Sequence, residues 1–73
     1  MSKIIFNGRN KAAILLFLNK HGFYNSMIGA NGEVSFRHQG NHIFILKDDT
    51  LIFSDGTLKI VKPSYVGGVY GYN

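Results

Sequence analysis

A chain of 73 residues, 45% hydrophobic and 16% charged with no cysteine, has room for one packed domain. That composition excludes a disordered chain and a fold stapled by disulfides or thiolate-bound zinc. Eight Lys and Arg against four Asp and Glu leave a charge of +4, which favours an acidic partner, either nucleic acid or an acidic protein surface.

The start, Met1-Ser2-Lys3-Ile4-Ile5-Phe6, is too short in apolar residues for a signal-peptide core. The segment Lys3 to Phe6 reads instead as a short strand rich in β-branched residues. Asn7-Gly8-Arg9-Asn10 breaks it, and Asn7 or Asn10 is placed to cap the helix that follows. That helix is expected from Lys11 to His21, with Gly22 closing it as the left-handed residue. Its apolar run, Ala12 to Leu18, falls far short of the roughly 20 residues that span a bilayer, so the expected location is the cytoplasm. Phe23 to Gly32 reads as a connection with a brief extended piece around Tyr24 to Ile28.

The hydrophobic period then changes to two. Glu33 to His38 alternates, with Val34 and Phe36 on one face and Ser35 and Arg37 on the other. His42 to Lys47 is apolar on both faces, as a central strand buried on both sides would be. Asp48-Asp49 turns the chain into Thr50 to Ser54, and Asp55-Gly56 is the strongest hairpin signal, leading into Thr57 to Lys62. The expected architecture is α+β. A short N-terminal strand and one helix precede a four-stranded antiparallel meander, all within a domain of residues 1–62. Pro63 ends it, and residues 63–73, rich in Gly and Tyr and free of charge, read as a flexible tail.

On a helical wheel Ile14, Phe17 and Leu18 cluster, with Leu15 at their edge, as the natural core stripe. Leu16 falls on the far side, between Ala12, Ala13 and Lys20. Either a second layer covers it, or it is an isolated exposed residue, or it forms a contact patch for a partner. Arg9 and Lys11 stand at the helix start, where free backbone N–H groups attract anions, and they oppose the helix dipole. Neither the P-loop pattern nor G-x-G-x-x-G is present, so a phosphate backbone or an acidic side chain suits this place better than a nucleotide.

His38 and His42 flank the turn Gln39-Gly40-Asn41 and are placed to face each other across a hairpin. A metal would need further ligands, and His21, the remaining histidine, belongs at the far end of the helix meeting its last carbonyls. No serine sits in a G-x-S-x-G elbow, and turns account for Asp48, Asp49 and Asp55. The chain is therefore expected to use no cofactor or metal and to be no enzyme. In the tail Tyr65, Tyr70 and Tyr72 could stack on bases or anchor in the pocket of a protein partner.

A short, basic, cysteine-free chain with one helix, a small meander and a Gly/Tyr tail resembles the small proteins phages make to seize host machinery. It is similar in this general character to the phage transcription regulators that bind bacterial RNA polymerase. The resemblance implies inhibition or redirection of transcription by occupying a polymerase surface, without catalysis. From the residues themselves, Arg9, Lys11, Leu16, Lys20, Arg37 and Tyr65 are the expected partner contacts. The alternative is a small basic nucleic-acid-binding domain, against which stands the absence of an RNP pattern and of clustered basic residues. A homodimer through the helix or an open sheet edge is compatible with either function.

Overall fold

The computed structural model describes residues 1–63 and 69–72. The elements in order are β1 (Ser2–Ile5), α1 (Lys11–Lys20), β2 (Met27–Ile28), β3 (Val34–His38) and β4 (Asn41–Ile45). β5 (Thr50–Ser54), β6 (Thr57–Val61) and β7 (Val69–Tyr72) follow. They form an α+β domain with two antiparallel sheets, one ordered β1-β5-β6-β7 and the other β2-β3-β4.

The two expected hairpins are present, but the single meander is not. β3–β4 and β5–β6 each close on two residues at positive φ, Gln39 (52°) with Gly40 (81°) and Asp55 (53°) with Gly56 (76°). Two consecutive left-handed residues match the twist of a tight hairpin. β4 and β5 do not pair, and the turn between them passes the chain from one sheet to the other. The Asp49 amide donates to the Leu46 carbonyl at 3.0 Å, and Asp48 takes a positive φ of 74°. β1 then occupies the edge of β5, with Ile4 opposite Leu51.

β4 is accordingly no central strand. β3 holds the middle of the smaller sheet, with Val34, Ser35 and Phe36 all buried, while β4 lies at its end with Phe44 47% exposed. The expected flexible tail is described only at Pro63 and in Val69–Tyr72, whose backbone pairs with β6 from Val61↔Val69 to Leu58↔Tyr72.

The core forms where α1 and the inner faces of both sheets meet. Ile14 and Leu18 enter from the helix, Leu51, Leu58 and Ile60 from the larger sheet, and Val34, Phe36 and Ile45 from the smaller, with Phe6 and Phe23 from the connections. Leu15 and Phe17 pack against this cluster, as the helical stripe predicts. Burying one such side chain is worth about 1.5–3 kcal/mol.

Gly22 closes the helix as expected. The Phe23 amide donates to the Leu18 carbonyl at 2.8 Å and the Gly22 amide to the Asn19 carbonyl at 3.1 Å. The bond from Phe23 requires a left-handed residue just before it, and Gly22 supplies it at φ 94°. Phe23 and Leu18 are both buried, so the cap also seats an apolar contact.

Asp49 is fully buried and carries an ion pair to Lys62 at 2.6 Å. The same carboxylate oxygen accepts the Leu46 amide at 2.9 Å.

Two stability measurements check this account. Gly22→Ala meets no steric obstacle, yet it forces a Cβ into left-handed backbone, so it should cost about 1–2 kcal/mol in urea unfolding. Lys62→Met strands a buried carboxylate and should cost about 2–3 kcal/mol. That is below the loss for a fully buried pair because the Lys62 side chain keeps 14% exposure, and Lys62→Arg should recover most of it.

Candidate interaction site

Asn10 occupies the N-cap position of α1, but its side chain does not cap the helix. It reaches back instead: Asn10 Nδ2 donates to the Ile5 carbonyl at 2.8 Å and Asn10 Oδ1 accepts the Asn7 amide at 2.9 Å. Asn7 Oδ1 in turn accepts the amides of Arg9 at 2.8 Å and Asn10 at 2.9 Å. This small network fixes the angle at which the helix leaves β1. It also holds Arg9, which is exposed, on a defined turn.

The first turn of α1 carries no acid. Lys11 leans away from the exposed helix face and over the loop before β3, where a Cβ on Gly32 would stand 2.7 Å from its ammonium. Lys11 is thus half-buried and apart from Leu16.

Leu16 is 69% exposed, so no second layer of the described residues covers it. Ala12, Ala13, Asn19 and Lys20 are exposed with it and complete the outer face of α1. Lys20 lies one helical turn beyond Leu16, which brings that pair of expected contacts together.

Arg37 is exposed on a different surface, the outer face of the β2-β3-β4 sheet, directly opposite His42. Tyr65 lies outside the described residues.

The three histidines stay apart. His38 pairs with Asn41, and its ring meets the buried Phe23 at 5.2 Å. His42 is opposite Arg37, so alternation puts it on the other face of the sheet and the two rings do not face each other. On that face His42 Nε2 lies 2.8 Å from Ser35 Oγ and its ring 4.6 Å from Phe44. His21 stacks on Phe53 at 4.1 Å and meets the edge of Phe17 at 4.8 Å, so its ring joins the helix end to the larger sheet and does not serve the last carbonyls. Among the described residues no three His, Asp or Glu side chains gather as a metal would require.

Sequence reasoning missed two features. Residues 1–32 contain no Asp or Glu but hold Lys3, Arg9, Lys11 and Lys20, so they carry the entire +4, while the four cations and four acids beyond them cancel. That segregation was countable, and the even scatter of the basic residues hid it. The second is a pair of half-exposed apolar side chains on the outer face of the smaller sheet, where the register aligns Met27, Ser35 and Phe44 beside the Arg37–His42 pair. Met27 is 45% exposed and Leu46, just past β4, 57%. An unbroken apolar run reads the same whether its second face is covered or open.

No protein-family model matches the chain, and no curated protein or solved structure matches it significantly.

The packing of His21 has a consequence for pH. Burial, then the nearby Lys20 and the chain's amino terminus, hold its pKa below the ordinary 6.5. The unfolded chain therefore takes up this proton before the folded one does. The stabilisation is complete above pH 6.5 and is lost as the pH falls from there towards the lower folded value. His21→Phe keeps an aromatic ring between Phe17 and Phe53 and removes the titration. Thermal melts of the two proteins should run parallel above that pH and diverge below it, with the wild type falling faster.

Proposed function

We propose that this chain is a non-catalytic cytoplasmic regulator that binds a host protein complex through the outer face of α1. Bacterial RNA polymerase is the first partner to test, and inhibition or redirection of transcription is the outcome. One observation carries the reading. An exposed leucine stands among alanines and beside Lys20, within a segment that holds the chain's whole net charge and no acid. An apolar centre with a cationic rim suits a partner that offers an apolar pocket bordered by carboxylates. Arg9 at the helix entrance adds to the positive field on the same segment.

An exposed large apolar side chain surrounded by small ones can insert into a pocket while the alanines let the partner approach closely. Burial of such an anchor commonly supplies most of the affinity, and rim charges speed encounter. No helix among the described residues is long and apolar enough to cross a membrane.

An affinity capture from bacterial lysate, read by mass spectrometry, should recover RNA polymerase subunits in stoichiometric amount. Leu16→Asp should weaken capture by about 30-fold or more, as loss of a central anchor does, and leave the circular dichroism and melting temperature close to wild type. Lys20→Glu should slow association and flatten its dependence on salt. Recovery of nucleic acid without a stoichiometric protein would overturn the reading in favour of a nucleic-acid-binding domain.

A further inference from the structure

Four strands stand at sheet ends, and they differ in how they are protected. β2 has two residues, β1 carries Lys3 in its middle, and β7 is interrupted by Gly71. Short length, an outward lysine and an interior glycine all discourage pairing with another chain. β4 has none of these. Its five residues, Asn41-His42-Ile43-Phe44-Ile45, include no Lys, Arg, Asp, Glu, Gly or Pro. No backbone bond from another described element reaches its outer edge.

The hairpin geometry tells which groups lie on that edge. With Gln39 and Gly40 as a two-residue turn, His38 and Asn41 form the hydrogen-bonded closing pair. Alternation along an antiparallel ladder then leaves the N–H and C=O groups of His42 and Phe44 pointing away from β3.

We propose that β4 pairs antiparallel with β4 of a second copy of this chain, joining two three-stranded sheets into one of six strands. A two-fold axis at Ile43 sets His42 of each copy opposite Phe44 of the other, so the same two residues supply and satisfy all four outward backbone groups on each side. The strand is self-complementary in charge as well, because no like formal charges meet across the seam.

The side chains are already arranged for the contact. His42 is held by Ser35 at 2.8 Å and lies against Phe44 of its own strand at 4.6 Å. In the dimer each ring gains the complementary ring of the second copy, and Phe44, 47% exposed, loses part of that surface to the seam. A two-fold contact of this kind uses up the edge and closes, so it gives a dimer and no fibre. It is independent of α1, and its outcome is read without any host partner.

Sedimentation velocity over a concentration series should show a monomer–dimer equilibrium. In a sample mixed from isotopically labelled and unlabelled protein, filtered nuclear Overhauser spectra should show contacts between Ile43 of the two copies and between His42 and Phe44. Phe44→Lys places a cation opposite His42 and should raise the dissociation constant by about tenfold or more, with the circular dichroism unchanged. A protein that stays monomeric at millimolar concentration, or a dimer whose intermolecular contacts lie elsewhere, would overturn the proposal. The spectra of the wild-type protein decide this even where the variant folds poorly.

Discussion

Everything else in this fold hangs on where Asp49 sits. Its carboxylate accepts the Leu46 amide and the Lys62 ammonium, and its backbone carbonyl accepts the Phe6 amide at 2.9 Å. The Asp48 amide returns to the Phe6 carbonyl at 2.7 Å. Three distant stretches of chain, the exit of β1, the switch between the sheets and the end of β6, are thereby tied at one point. A buried carboxylate is costly unless paired and hydrogen-bonded, so the fold can place Asp49 there only by bringing Lys62 and the local amide with it. The electrostatic demand of one side chain thus helps decide which strands can be neighbours.

Its first consequence is the division of the strands. With the chain turned at residues 46–49 and β1 seated beside β5, β4 cannot continue the ladder. It is left at the end of its own sheet, with Phe44 half exposed on the outer face beside His42. The second consequence concerns α1. Leaving β1 through the Asn7–Asn10 network, the helix spends Ile14 and Leu18 on the core, and Leu16 on the opposite side meets no layer of the described residues. The uncovered surfaces follow from the topology, because the two small sheets and one helix of the described residues provide too little backbone to cover both sides of every element.

What the sequence made legible were features with a local cause. Gly22 and Asp55-Gly56 could be placed because a left-handed backbone excludes most side chains, and the stripe Ile14, Phe17 and Leu18 because helical period alone selects it. Leu16 was identified as an outward residue on the same ground. Features set by non-local choices were not legible. The run from Ile43 to Leu46 is compatible with a buried central strand and with an exposed end strand, and only the seat taken by β1 distinguishes them. Asp49 read as a turn residue, which it is, but nothing near it in the chain announces that Lys62, thirteen positions on, will be its partner. His38 and His42 were placed on one hairpin correctly. Whether they share a face depended on the loop being two residues and not three, a difference of one position that reverses every side chain after it.

The separation of charge from the neutral strand end gives the two proposed contacts different physical characters. The acid-free segment that includes β1 and α1 offers long-range attraction to a carboxylate-rich surface, sensitive to salt and effective before contact. The β4 edge offers short-range backbone pairing and ring contact, indifferent to the field because it carries no formal charge. Two copies joined at β4 would therefore repel through their basic segments only weakly at physiological salt, where the screening length is about 8 Å. They would also present two α1 faces at a fixed spacing. Where a host complex offers two acidic sites at that spacing, the second contact becomes intramolecular, and modest affinity at each Leu16 adds up to tight binding overall. A small domain that cannot build one large interface gains reach in this way by repeating a small one.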